Sequence, residues 1–143
     1  NTLNYYPQMQ EGKPYKRKFT EHKTNNHGFG IKGVEHINEG TRHPSTVLDF
    51  PQQWRRQDQI HPTQKPVELL EHLIKSHTNE NETVLDFTAG SFSTAIACLN
   101  TDRNFIGVEL DGSYFDIGVN RIKEHIESNN MNADLNLKYG LNI

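Results

Sequence analysis

The stretch VLDFTAGSFSTAIA, Val84–Ala97, constrains the chain most. A short apolar run ends in Asp86, Gly90 supplies a turn, and Ser91 to Thr94 open a helix of small residues. A strand fed into a helix through a glycine turn is the first half of a strand–helix–strand unit, and such units build parallel sheets. Glycine at the turn lets the backbone approach a ligand and take torsions closed to other residues. The N–H groups at the helix start attract a carboxylate or phosphate. A second strand-like run, NFIGVELD, ends in acids, with Glu109 falling 19 residues after Gly90. An acid at the end of that second strand is placed to take both hydroxyls of an adenosine ribose. The spacing therefore predicts an adenosine-containing cofactor.

The common alternatives fail on glycine count. A dinucleotide fingerprint needs G-x-G-x-x-G, but only Gly90 is present and Phe92 stands where the second glycine belongs. A nicotinamide-dependent oxidoreductase is disfavoured on that ground. No G-K-[ST] follows, which removes a P-loop, and no G-x-S-x-G marks a nucleophile elbow.

Around this turn the pattern is regular. Pro66 reads as a first helical position, and Val67, Leu70, Leu73 and Ile74 share one helical face. The helix after the glycine turn stops at Asn100. A third helix reads from Ser113 as N-cap with Asp116 three residues on, close to a capping box, and its apolar stripe is Phe115, Val119, Ile122 and Ile126. The tail alternates Leu135, Leu137 and Tyr139, a third strand. The expected fold class is α/β: a partial doubly wound, Rossmann-like sheet built from buried strands, over residues 60–143. Residues 1–59 are rich in Gly, Asn, Lys, His and Pro and read as long loops with short strands, one at Ser45–Phe50.

Charge divides the same way. Residues 1–60 hold nine Lys/Arg and six Asp/Glu, and residues 61–143 hold six and twelve. A basic, loop-rich region beside an acidic, regular one suits a nucleic-acid surface on a scaffold. Lys16, Arg17, Lys18, Arg55 and Arg56 are the candidate DNA contacts, with an ordinary solvated loop as the alternative. The single cysteine, Cys98, excludes an internal disulfide and a Cys-rich zinc site, and its neighbours Ala95, Ile96, Ala97 and Leu99 mark it as core. Eight histidines show no metal-ligand spacing, so no metal is expected. The absence of an 18-residue apolar run and of a basic–apolar leader leads to an expectation of a cytoplasmic protein with no membrane partner.

Directly upstream of the first strand stands His61-Pro62-Thr63-Gln64-Lys65-Pro66. With Asp86 to Thr94 and the acid-ended strand FIGVELD, this segment resembles the amino-group DNA methyltransferases of permuted (beta-class) motif order, bacterial or phage type. Those enzymes move a methyl group from S-adenosylmethionine to adenine N6 or cytosine N4. The resemblance covers residues 60–124 closely and 1–59 loosely. It implies that Ala89, Gly90, Ser91 and Phe92 cradle the methionine part of the cofactor, flanked by Phe87 and Thr88, and that Asp86 orients its amino group. It implies that Glu109 holds the ribose, that Leu110 borders the adenine, and that His61, Thr63 and Lys65 line the carboxylate end. The structural alternatives are Asp86 as a capping group, Thr63 as an N-cap and Lys65 as a surface charge. A phenylalanine at the first helical turn needs no positive φ, so Phe92 is expected to keep the backbone path while its ring covers the cofactor or fills the pocket.

The family's catalytic Pro-Pro-aromatic motif has no counterpart here: the six prolines, at 7, 14, 44, 51, 62 and 66, are never adjacent. In the permuted order that motif precedes the recognition region, and the chain starts at Asn1 rather than methionine. The resemblance thus implies a C-terminal fragment, with no catalytic residue of its own, that acts on double-stranded DNA together with a missing upstream segment or a complementary chain. That absent part would cover an otherwise exposed hydrophobic strand edge. The alternative is a non-catalytic SAM- or DNA-binding remnant, or one half of a split methyltransferase.

Overall fold

Two parallel strands cannot be joined by a tight turn, and the crossover between them organises the larger part of this chain. A computed structural model describes residues 4–18, 34–50 and 60–131. Its elements are β1 (Gln10–Glu11), β2 (Tyr15–Lys18), β3 (Glu35–Asn38), β4 (Thr41–Arg42), α1 (Val67–His77), β5 (Thr83–Asp86), α2 (Ser93–Leu99), β6 (Asn104–Gly107) and α3 (Gly112–Ser128). They fall into two compact units, one of residues 7–48 and one of residues 1–6 with 49–143.

In the larger unit β5 and β6 pair in parallel, Thr83 opposite Asn104 and Asp86 opposite Gly107. The crossover is α2, which packs on β6 and along α1 and touches α3. Ala95, Ala97 and Cys98 are buried on α2, and these small side chains let α1 and the sheet come close. Arg103 ties the end of α1 to the turn before β6. Its Nη2 donates to the Thr78 carbonyl at 2.8 Å, its Nε to Thr78 Oγ1 at 3.2 Å, and its Nη1 to the Thr101 carbonyl. Asn4–Tyr6 also belongs to this unit: the Tyr6 N–H donates to the Ser76 carbonyl at 2.8 Å and Asn79 Nδ2 donates to Tyr6 Oη at 2.8 Å. The Tyr5 ring lies 5.9 Å from His77, and the Phe50 ring 5.7 Å from His72.

The core centres on Phe92, 4% exposed, with Ala89, Ala95, Ile96 and Ile122. Its ring meets Phe105 at 6.0 Å and Phe115 at 5.7 Å, both edge to face, an arrangement that aligns ring edges with ring faces. One expectation changes: Phe92 has φ 57° and ψ 31°, the left-handed conformation, and not a negative φ. Its ring packs into the core behind the turn. Left-handed torsions cost a side-chain-bearing residue roughly 1–2 kcal/mol, and burial of the ring offsets that. Gly118 on α3 makes the room: a Cβ there would fall 2.8 Å from Phe92 Cγ.

The smaller unit is a ribbon. β1 pairs antiparallel with β4, Gln10 opposite Arg42, and β2 with β3, Tyr15 opposite Asn38. The two ladders are parts of one long hairpin, broken where Gly12, Lys13 and Pro14 face Glu39 and Gly40. Pro14, which has no N–H to give a ladder, sits in that break. The Gly12 N–H donates to the Gly40 carbonyl at 2.6 Å across it.

Other expectations shift. The β5 and β6 strands are not buried on both faces: Val84 and Phe105 face the helices, while Leu85 and Ile106 are 61% and 55% exposed and Phe87 and Val108 continue the same uncovered stripe. The exposure expected at an edge therefore extends over a face. Pro66 is the N-cap of α1 and Val67 its first residue. α3 is capped by Asp111, not Ser113: Asp111 Oδ1 accepts from the Ser113 and Tyr114 N–H groups at 2.8 and 3.1 Å. Ser45–Phe50 forms no strand. Arg55, Arg56 and the strand expected at Leu135–Tyr139 lie outside the described residues.

Two outcomes follow for urea denaturation. Phe92→Ala should lose about 3–5 kcal/mol, and Phe92→Gly about 1 kcal/mol less because glycine carries no left-handed penalty. Gly118→Ala should cost about 1–3 kcal/mol by overpacking in the parent chain, yet stabilise by up to about 1 kcal/mol alongside Phe92→Gly, where helix propensity alone remains. Burial pushes the Cys98 thiol up to about 12, Arg103 working against that and Asp86 with it. Because the folded thiol holds its proton while the unfolded one loses it, Cys98 removes stability as pH rises from about 9 toward 12. Cys98→Ala should flatten that part of the stability–pH curve, and the native thiol should resist a disulfide reagent until denaturant is added.

Candidate cofactor site

The site forms where the backbone leaves β5 and β6 side by side. The Val108 N–H donates to the Asp86 carbonyl and the Val108 carbonyl accepts from the Ala89 N–H, both at 2.9 Å. One residue past β6 thus extends the ladder and holds the glycine turn against the strand end. Gly90 has φ 54° and Phe92 φ 57°, so two left-handed residues reverse the chain between β5 and α2.

Asp86 organises this turn from below. Its carboxylate accepts from the Thr88 N–H at 3.1 Å and from Thr94 Oγ1 at 2.6 Å. Glu109 closes it from the other strand: Oε2 accepts from the Gly90 N–H at 2.6 Å and Oε1 from the Asp111 N–H at 3.0 Å. Glu109 does not end β6 as expected. It stands two residues beyond Gly107, which is what carries its carboxylate across to the turn. The N–H groups of Thr88, Ala89, Gly90 and Phe92 are all engaged within the chain, Phe92 donating to the Ala89 carbonyl.

His61 lies over the turn. A Cβ on Gly90 would fall 3.4 Å from His61 Nδ1, and the His61 ring meets Tyr114 edge-on at 4.4 Å. His61 Nδ1 also pairs with Thr63 Oγ1 at 3.1 Å and accepts from the Thr63 N–H at 3.3 Å. Thr63 is thus bound to its own turn and is not the N-cap of α1. Lys65 is exposed just before α1. The structure brings together Asp86, Thr88, Ala89, Gly90, Glu109, His61 and Thr63. It leaves Phe87 74% exposed and Leu110 fully exposed.

Three further residues join the site: Thr94 ends the Asp86–Thr94 motif, and Tyr114 and Arg121 lie on α3 with no site role read for them in the sequence. Tyr114 is placed by the Asp111 cap. Thr94 completes the Asp86 pair. Arg121, on α3, donates through Nη1 to the Ser91 carbonyl at 2.8 Å and Ser93 Oγ at 2.9 Å, with Ser91 Oγ at 3.4 Å. Burial lowers the Arg121 pKa from its ordinary value. Only its helical spacing beside Ile122 could have signalled it. In the ribbon unit, Lys16, Arg17 and Lys18 form most of β2 and are exposed.

A family model described as DNA methylase, of the N6/N4 type, matches residues 3–120, and the chain belongs to that family. It is 40% identical over 81 residues to the DNA adenine methyltransferase YhdJ of Escherichia coli K12, across 55% of this chain and 28% of that protein. It is 43% identical over 70 residues to the type II methyltransferase M.HindIII of Haemophilus influenzae, across 49% of this chain and 22% of that protein. Among solved structures, the M1.HpyAVI–SAM complex aligns with 79% of this chain and 62% of that one at 28% identity and a TM-score of 0.44. The matched part spans about a quarter of the length of these curated relatives.

Arg121→Met keeps the stem and removes the guanidinium bonds. It should cost about 1.5–3 kcal/mol, the usual worth of hydrogen bonds to a charged group. Hydrogen exchange at Ser91 to Thr94 should quicken more than elsewhere in the unit.

Proposed function

We propose that this chain is the cofactor-binding part of a DNA amino-methyltransferase. In this reading S-adenosylmethionine lies across the ends of β5 and β6 and supplies an electrophilic methyl group for an exocyclic amine of adenine or cytosine. The observation that carries the reading is the Glu109 carboxylate seated on the Gly90 N–H at 2.6 Å. It puts an acid able to accept two hydroxyl donors beside Gly90, the one position of the turn that carries no Cβ. The donor set fits the cofactor in kind: Glu109 for the ribose, the Ala89–Ser91 backbone and His61 with Thr63 for the amino-acid end, and the exposed Leu110 and Phe87 for the adenine side. Lys65, exposed ahead of α1, is the cation for the carboxylate. Phe92 contributes its backbone only. Binding exchanges the Gly90 N–H for ribose hydroxyls on Glu109, so the turn loosens from the carboxylate as the cofactor enters.

Residues 60–143 take the cofactor role and residues 1–59 the DNA-facing role, on double-stranded DNA. The nucleophile is prepared elsewhere, since no two prolines adjoin to form the Pro-Pro-aromatic motif. A segment preceding this one, or a complementary chain, supplies that motif and covers the uncovered β5–β6 face. The same missing motif supports a second reading, a binding remnant or half of a split enzyme that retains the cofactor site without turnover.

Calorimetric titration of the whole chain with S-adenosylmethionine, with NAD as control, tests the reading. Saturable binding of S-adenosylmethionine alone is expected, weakened at least roughly tenfold in Glu109→Ala, the loss of a charge-assisted hydrogen bond pair. A folded chain that does not bind, or a Glu109→Ala chain that binds equally well, sinks it.

A further inference from the structure

The ribbon unit has two unlike faces. Residues directly opposite in an antiparallel pair point to the same side, and neighbours along a strand to opposite sides. Tyr15, opposite Asn38, and Arg17, opposite His36, therefore share one face. Lys16, opposite Ile37, and Lys18, opposite Glu35, share the other. Among the described residues of β2 and β3 the first face holds no carboxylate. Arg42 joins it across the break in the hairpin: its guanidinium carbon lies 5.9 Å from the centre of the Tyr15 ring, and Nη2 donates to the Lys13 carbonyl at 3.3 Å. The Tyr15 and His36 rings lie 6.3 Å apart on the same side. Tyr15, His36, Asn38, Thr41 and Arg42, with Met9 and His43, line a concavity of about 520 Å3. Asn38 sets its shape rather than facing a ligand. Its Oδ1 accepts from the Gly40 N–H at 2.9 Å and its Nδ2 donates to the Thr41 carbonyl at 2.7 Å, which fixes the turn that delivers Arg42.

A two-stranded ribbon fits the major groove of B-form DNA. Arginine is the side chain suited to the paired acceptors O6 and N7 of guanine, and an aromatic or apolar surface suits the thymine methyl group. Lysines make sequence-independent phosphate contacts. The region as a whole is basic, with seven Lys/Arg against four Asp/Glu between residues 7 and 48. We infer that the face carrying Tyr15, Arg17, His36 and Arg42 reads base edges in the major groove of duplex DNA. Arg17 and Arg42 take guanine, and Lys16 and Lys18 on the opposite face serve only the phosphates. This rests on the proposed function for its partner, and it separates the cations of β2 into two roles.

The test is selection of the whole chain on a random duplex DNA library, followed by binding titrations on the enriched sequence. The parent chain should enrich a motif containing guanine. Arg17→Gln and Arg42→Gln should each weaken binding to it by roughly 5- to 100-fold and relax the preference at one guanine. Replacing that guanine by 7-deazaguanine should reproduce the loss in the parent chain and add nothing in the variant. Lys16→Gln and Lys18→Gln should keep the motif, weaken all sequences alike and lower the salt slope by about one each. Both arginines and both lysines are exposed, and an unchanged circular dichroism spectrum in each variant separates lost contact from lost folding. The inference is overturned if the lysine variants change the motif and the arginine variants do not, or if no motif is enriched. It is overturned equally if an RNA duplex, whose deep narrow major groove excludes a ribbon, competes as well as DNA. S-adenosylmethionine titration of the same preparations separates the outcomes: cofactor binding without a DNA motif rejects the ribbon reading alone, and loss of both rejects the cofactor reading too.

Discussion

Val108 holds the structure's central junction. Through its two backbone groups it bonds Asp86 on one side and Ala89 on the other, so the end of β5, the glycine turn and the end of β6 are one hydrogen-bonded piece. Everything at the site is referred to that piece. Glu109 reaches Gly90 because it follows Val108. The Asp111 cap follows two residues later and orients α3, which in turn brings Tyr114 to His61 and Arg121 to Ser91. Those contacts come from residues up to 53 apart, yet they hang on two backbone bonds of one residue.

Behind the junction, the departure of Phe92 from the usual glycine is resolved by exchange of volume between two elements. The ring occupies the space that a side chain at position 118 would need, and α3 settles against it through Gly118. The backbone keeps the left-handed path and the solvent side of the turn keeps its shape. The ring's volume is thus taken up in the core, between the turn and α3.

Much of this was legible in the sequence because strand, glycine turn and helix are local signals. Asp86, Gly90 and Glu109 were singled out from type and spacing and lie together at the turn, and the helical stripe Phe115–Ile126 was read from its period. What could not be read depends on three-dimensional partners. The positive φ of Phe92 is sustained by Phe105, Phe115 and Gly118, none of them a neighbour in sequence. Asp111 won the cap from Ser113 because an acid two residues earlier reaches two N–H groups at once. A four-residue strand is too short for alternation to tell one buried face from two, so the open side bearing Leu85 and Ile106 went unseen. Arg121 and Tyr114 enter the site from α3 by packing alone.

The ribbon leaves the larger unit at Tyr6 and the chain returns at Asp49, and the residues flanking both points rest on the same helix, Tyr5 beside His77 and Phe50 beside His72. Five helical residues separate those two footholds, about 7.5 Å of axial rise. Chain ends that close together make an inserted segment interchangeable in principle, since neither junction strains the host. The ribbon is in that sense a cassette. One ribbon can be exchanged for another of different length or sequence while α1, the glycine turn and Glu109 keep their places.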